Sequence, residues 1–506
     1  MSLAIKTILD SGFDGTLVDV ECSLSNGLPN IVIVGFAAKA VDEAKERIRS
    51  AFSASSIDLP RKRIVINLAP ADIQKGSSSL DLAIAVSILV ANKNVTTNPP
   101  QTIIIGELGL DGSIKPVRGI IGKLLASKRF GIKNFILPEG NLSQALVVPG
   151  VKITPIDNLK NLYLHLNNQL SIKLHVGGKK VASNNSASVS VVDINEVVGQ
   201  FSAKRAIEIA AAGGHNILLN GPPGTGKSML AKTILGLLPP PDNTEILEIT
   251  HIHSLSSPSY DQLITSRPFR APHHSASDTA IVGGGKNPKP GEISLSHRGV
   301  LFIDELPEFS RTAIESLRQP LEDQKITVSR ARDSVEFPAN FIMVATANPC
   351  PCGYYGTHKE CTCLPQHINR YQRKLSGPIL DRIDLFANVD NIRHDKLLES
   401  NKNGISSQLV AQKVQKVRLI QNNRYKKLTK TNSDMTNADI KKYANLLADA
   451  KQFLNNAANK LELSPRSYMR TIRVARTIAD LDNKDVIELS HISEAIQFRP
   501  KNLIQL

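Results

Sequence analysis

The 506-residue sequence predicts an α/β protein with a purely helical C-terminal region. Three observations carry that prediction. Short β-rich runs alternate with helical ones up to about residue 390, a glycine-rich loop stands between a strand and a helix near the middle, and no convincing strand follows Asn391. At roughly 150 residues per domain the length corresponds to about three domains, each large enough to bury a core.

In residues 1–176, Thr16–Cys22, Asn30–Gly35, Arg63–Asn67, Ile103–Ile105 and Phe135–Leu137 read as strands, and Val41–Ala54 and Ser78–Ala91 as helices. The stretch 177–190, GGKKVASNNSASVS, is polar, rich in Gly and Ser and without hydrophobic period, so it reads as a linker. Alternation resumes over 191–390. Over 391–506 the helices Leu409–Tyr425, Asp439–Ala458, Ser464–Leu481 and Ser490–Gln497 read as a lid.

Lys and Arg number 61 against 46 Asp and Glu, a formal charge of +15 that favours a polyanionic partner such as nucleic acid. Residues 391–506 hold 21 basic and 11 acidic side chains, so the surplus concentrates there. A solvated helical surface is the plain alternative. No run reaches the ~18 apolar residues of a membrane span, and the longest, Leu80–Ala91, contains Asp81. Met1–Asp10 lacks the basic start and apolar stretch of a secretory signal. A cytoplasmic protein with no membrane partner is expected. Five cysteines make no disulfide framework in a chain of this length.

The strand Asn216–Leu219 leads into Gly221-Pro222-Pro223-Gly224-Thr225-Gly226-Lys227-Ser228 and then a helical run from Met229, the strand-loop-helix context of G-x-x-x-x-G-K-[ST]. Glycines let successive backbone N–H groups converge on an anion, Lys227 reaches the β- and γ-phosphates of ATP, and Ser228 holds Mg²⁺. Gly299–Glu305, GVLFIDE, is an apolar strand ending in two carboxylates: Asp304 completes the magnesium shell and Glu305 polarises the attacking water. A third apolar strand, Phe341–Asn348, ends at Asn348, which either bonds the lytic water or simply forms a turn before Pro349.

The order GPPGTGKS, LFIDEL, ATAN, SGPILDRID and SPRSYMR, with the blocks RPFRAPHHSASDTAIVGGG and NPCPCG, resembles the magnesium-chelatase-like AAA+ ATPases, specifically the YifB/ComM family. The likeness spans nearly the whole chain. It implies an AAA+ P-loop ATPase core with a helical lid, working as a homo-oligomer, a hexameric ring by analogy. Arg382 in LDR then looks like the finger that reaches a neighbour's γ-phosphate, and Arg466 in SPRSYMR like the second sensor on the lid. Read without the family, Arg382 is an ordinary ion-pair partner of Asp381 or Asp384. The resemblance further implies an ATP-driven DNA motor, a helicase or branch-migration translocase acting in recombination during natural transformation.

Lys325–Phe337, KITVSRARDSVEF, reads as a β-hairpin. By analogy with ring helicases it projects into a central channel, with Lys325, Arg330 and Arg332 beside DNA phosphates; the alternative is a solvent hairpin with no ligand. The insert from Thr250 to Lys289 carries Arg267, Arg270, His273 and His274, and loop structure is favoured over a zinc site. Cys350-Pro-Cys352 and Cys361-Thr-Cys363 offer four thiolates for a structural Zn²⁺, with His358 or His367 as substitutes and buried free thiols as the alternative.

Gly106–Gly112, PVRG at Pro116–Gly119 and LPEGN at Leu137–Asn141 resemble the Lon-type domain, an S5-type α+β fold. That resemblance brings a rival function, ATP-dependent proteolysis through a Ser-Lys dyad with Ser78 as nucleophile. The matching lysine position holds Ile121, with Lys123 two residues on, so Ser77–Ser79 is read as a helix-capping cluster instead. A magnesium-chelatase motor subunit is the other rival.

Overall fold

The computed structural model describes residues 4–11, 13–34, 38–70, 78–95, 101–179, 192–256, 263–285, 288–329, 334–375, 377–392, 406–427 and 429–500. Arg330, Arg332, Ser77 and most of the expected linker lie outside the described residues. The chain divides into two compact units. One comprises Met1–Asn184, Asp242–Thr265 and Ala331–Glu336; the other comprises Asn185–Pro241, Ser266–Arg330 and Phe337–Leu506.

The first unit is built on an eight-stranded mixed sheet, in the order His175–Val176, Lys152–Ile156, Asn134–Pro138, Thr102–Ile104, Ile5–Ser11, Asp14–Ser25, Arg63–Ala69 and Asn30–Val34. Its helix Asp81–Ala91 is apolar on every side and buried from Asp81 to Leu89, as an all-round hydrophobic helix must be. Burial pushes the Asp81 carboxyl up to about 6, although Arg47 Nε lies 2.6 Å away. The turn Ser78–Leu80 precedes this helix, but no side chain caps it. The expected serine cap is therefore replaced by a backbone that winds continuously from the turn into the helix, while the Ser78 hydroxyl donates to Glu107.

The helix Asn243–Ser256 follows the phosphate-loop helix in sequence yet belongs to this first unit. Leu247 joins the core of Ile120, Ile121 and Leu124. The His251 ring lies 4.8 Å from that of Phe13, and its Nε2 sits 2.9 Å from the Phe13 carbonyl oxygen. Burial holds the His251 imidazole below its ordinary value, so it is neutral and donates from Nε2. A Cβ on Gly122 would come within 1.9 Å of His251 Cε1, so only glycine fits under the ring.

In the second unit a five-stranded parallel sheet runs Phe269–Arg270, Val300–Ile303, Ile342–Ala347, Ile217–Asn220 and Leu385–Asn388. One apolar core joins this sheet to the C-terminal helices through Val414, Val417, Ala475, Ile478 and Ile492. Helix Ser407–Tyr425 also closes the end of helix Phe201–Gly213: Arg418 donates to the Ala211 carbonyl at 2.7 Å and Gln421 to that of Ala212 at 3.1 Å. These are carbonyls that a helix end leaves without intrahelical donors.

The single helix expected over Asp439–Ala458 is two, Asn437–Tyr443 and Ala448–Lys460. Between them the backbone bonds sideways, Leu447 N–H to the Ile487 carbonyl and Ile487 N–H to that of Asn445, so a tertiary contact overrides the helical period. Among the described residues no helix is long and apolar enough to cross a membrane.

Candidate active site

Strand Ile217–Asn220 sits between Ile342–Ala347 and Leu385–Asn388, where strand order reverses. Open parallel sheets bind ligands at such a point, beyond the carboxyl ends of the strands. Gly221–Gly226 occupies that position and feeds helix Lys227–Leu237. Gly224 and Gly226 have φ of +79° and +86° with no atom within 4 Å of an added Cβ, so the backbone conformation, not crowding, requires glycine there.

The side chains expected to act together meet at this end of the sheet. Buried Lys227 donates from Nζ to the carbonyls of Gly221 at 2.6 Å and Pro222 at 2.7 Å, and to Asn348 Oδ1 at 3.0 Å. Burial lowers its pKa, and Asp304 and Glu305 oppose that shift by favouring the ammonium. Ser228 Oγ lies 3.1 Å from Asp304 Oδ2. A hydroxyl and a carboxylate so placed offer the hard oxygen ligands that Mg²⁺ takes. Asn348 Nδ2 is 3.5 Å from Glu305 Oε1, and the Glu305 carboxylate is exposed to any water entering the site.

Thr346 escaped the sequence reading and organises the acidic pair. Its hydroxyl donates to Asp304 Oδ1 at 2.7 Å and accepts from the Glu305 backbone N–H at 2.8 Å. Thr346 lies on strand Ile342–Ala347 and Asn348 just past its end, two residues on, a spacing that turns both the same way and was available in ATAN itself. Glu305 adopts φ +54°, a strained conformation for a non-glycine residue, and that Thr346 contact holds it there.

Arg382 and Arg466 lie at the opposite end of the sheet. Arg382 precedes strand Leu385–Asn388, whose four-residue length separates it from the loop by roughly 13 Å. Both guanidiniums converge on Glu322, Arg382 through a short ion pair and Arg466 at 3.0 Å. Glu322 thus takes the place of the acids expected as partners of Arg382. Asp381 accepts instead from Ser464 and Ser467, and buried Asp384 pairs with Arg470 and accepts from the Asn216 N–H at 3.1 Å. Burial would raise the Asp384 carboxyl, but Arg470 and His215 outweigh it and hold the group well below the carboxylate range. Glu322, Arg382, Asp434, Arg466 and Arg473 face a cavity of about 630 Å³.

Elsewhere, Lys325 is exposed at the start of strand Lys325–Ser329, which pairs with Ser334–Pro338. Arg267 donates to the carbonyls of Pro239 and Arg298, and Arg270 pairs with Glu292 at 2.5 Å, so both brace the insert. His273 Nδ1 bonds Ser275 Oγ at 2.7 Å within its own loop. The four sulfurs of Cys350, Cys352, Cys361 and Cys363 converge without a histidine. In the first unit Lys123 is buried against Asp10 and donates to the Arg118 carbonyl, and Ser78 donates to Glu107. Lys123 is engaged by Asp10 and the Ser78 hydroxyl by Glu107, so the two are not paired as the base and nucleophile of a Ser-Lys dyad.

This loop, acidic pair and strand order define a P-loop nucleotide-binding protein. Residues 193–397 match the family described as magnesium chelatase, subunit ChlI; residues 20–141 match subunit ChlI of Mg-chelatase; residues 404–499 match the ChlI C-terminal family. The chain is 42% identical over 503 residues to competence protein ComM of Haemophilus influenzae, covering 99% of this chain and 98% of that protein. It is 40% identical over 503 residues to YifB of Escherichia coli, covering 99% and 97%. Its likeness to the 38 kDa magnesium-chelatase subunit of Rhodobacter capsulatus is 25% over 221 residues, or 40% of this chain and 60% of that one. The chain belongs to the YifB/ComM family of magnesium-chelatase-like AAA+ proteins.

Proposed function

We propose that this protein is an ATP-hydrolysing motor that forms a ring, translocates on DNA and remodels branched or duplex structures, by branch migration, in DNA recombination during natural transformation. The observation that carries the reading is the division of the site between the two ends of one sheet. Lys227, Ser228, Asp304, Glu305 and Asn348 stand at one end, and Arg382 and Arg466 at the other. An arginine side chain cannot span that separation within its own chain, so Arg382 completes the site of an adjoining subunit, and Arg466 acts there or through closure of the lid. A ring of such subunits, a hexamer by analogy, brings each Arg382 to a neighbour's phosphate.

In this reading the loop N–H groups and Lys227 bind the triphosphate, and Ser228 and Asp304 hold Mg²⁺, which neutralises phosphate charge. Glu305, steered by Thr346 and Asn348, accepts a proton from water, and Arg382 supplies bidentate donors to the developing charge. The surplus of basic residues, together with Lys325 on its hairpin, suits a DNA partner, and the ComM relative is a competence protein. Proteolysis loses its support because Lys123 is committed to Asp10.

The test is ATPase rate with single-stranded, duplex and four-way DNA at low salt. Stimulation is expected, and a rate indifferent to all three with no binding overturns the DNA reading. Glu305→Gln should keep ATP binding and lower turnover by about 10²- to 10⁴-fold; undiminished hydrolysis removes Glu305 from the mechanism.

A further inference from the structure

Between strand Ile342–Ala347 and helix Pro365–Gln372 the chain carries Cys350, Cys352, Cys361 and Cys363, whose sulfurs all lie within 4.8 Å of one another. Cys350 Sγ is 3.3 Å from that of Cys352 and 3.7 Å from that of Cys361, and Cys352 and Cys361 are 3.5 Å apart. Tetrahedral bonds of about 2.3 Å to one metal ion require sulfurs about 3.8 Å apart. Disulfides require about 2.05 Å and are absent from this cluster. Two backbone donors point at the sulfurs, Tyr355 N–H to Cys350 at 3.3 Å and Cys352 N–H to Cys363 at 3.4 Å, as suits thiolates carrying charge. Four soft ligands in a closed shell select zinc and leave no open position for chemistry.

We propose that these four cysteines bind one Zn²⁺ ion, and that the ion fixes a wall against which the phosphate-binding loop rests. Contact is made at Gly353, buried with φ +82°, whose added Cβ would lie 2.4 Å from Pro223 Cδ. Beyond it, Tyr355 and Thr357 share a cavity of about 180 Å³ with Gly221 and Asn348. Gln372 donates to the Pro349 carbonyl at 3.2 Å and ties the next helix to the same loop. The ion would tie Cys350 and Cys352 at the start of this wall to Cys361 and Cys363 at its end, so its loss would slacken the backing of Pro223 and Asn348 together. The bracing role rests on the reading of Gly221–Ser228 as the ATP site; the metal site does not.

Mercurial displacement of metal from the purified full-length chain into a chromophoric chelator is expected to release one zinc per chain. Cobalt(II) in its place should give the thiolate charge-transfer absorption of a tetrahedral sulfur site. Four freely titrating thiols with no metal, or iron with acid-labile sulfide, overturn the proposal. Cys361→Ser with Cys363→Ser should abolish zinc binding, whereas Cys363→His should retain it. Stripping zinc from the wild-type chain should weaken binding of a fluorescent ATP analogue on the order of tenfold to a hundredfold, restored by zinc. Unchanged analogue affinity after stripping overturns the bracing role. Zinc bound by a chain that takes up no nucleotide in either state upholds the metal site and counts against the ATP reading.

Discussion

The two ends of the five-stranded sheet are built on opposite plans. At the carboxyl end, backbone donors, one lysine and two acids surround an opening, and Glu305 is left exposed. At the amino end Asp384 is buried and saturated by Arg470, His215 and the Asn216 N–H, while Arg382 and Arg466 share the single carboxylate of Glu322. The first plan keeps charge available to a ligand; the second spends charge on holding the fold. The exceptions teach most. Two arginines share one acid, and Asp434 and Arg473 face the same cavity.

The largest effect should come from testing whether those two ends work together across chains. Arg382→Ala is expected to lower turnover by about 10³-fold or more, and Lys227→Ala to abolish it. Mixed together, the two variants should regain activity, because one supplies an intact loop and the other an intact arginine. A mixture no more active than its parts would mean that Arg382 serves its own chain. Next in size is stability. Arg470→Ala strands the buried Asp384 carboxylate and should cost about 3–5 kcal/mol in urea unfolding, whereas Arg466→Ala, on the surface, should cost less than about 1 kcal/mol. Equal costs would erase the contrast between the locked and the shared arginines.

The smallest effect is in pH. Because the folded Asp384 carboxyl lies below its unfolded value, its stabilising contribution is whole above about pH 4 and declines as pH falls below that towards the folded value. Asp81 has the opposite sign. Raised to about 6, it favours the protonated folded form, so its contribution weakens as pH rises from about 4 through 6. Urea midpoints of Asp384→Asn and Asp81→Asn against wild type, followed from pH 7.5 down to about 2.5, should therefore diverge in opposite directions, Asp81 between about pH 6 and 4 and Asp384 below about 4.

The loop, the acidic pair and the strand carrying Asn348 were legible because each lies within a few consecutive residues whose chemistry and period agree. Thr346 was legible in principle, by alternation along ATAN. Glu322 was not, since its partners Arg382 and Arg466 are 60 and 144 residues away and no local pattern joins them. Strands Ile5–Ser11 and Lys152–Ile156 were missed for a related reason. The sheet closes them through long-range pairing with Asp14–Ser25 and Asn134–Pro138, while their own sequences alternate weakly. The break at Ala444 likewise depends on Ile487, 43 residues on.

Helix Asn243–Ser256 reaches the first unit by way of Pro239, Pro240 and Pro241, a stiff tripeptide that begins two residues after the phosphate-loop helix ends at Leu237. A gene cut at the apparent boundary near residue 180 would therefore yield an amino-terminal fragment missing a piece of its own interior. The bed under Gly122 would face water, and the fragment would be sticky rather than autonomous. On the ribosome, too, that first unit cannot finish folding until its last segment, Ala331–Glu336, has been made, about 150 residues past Asn184.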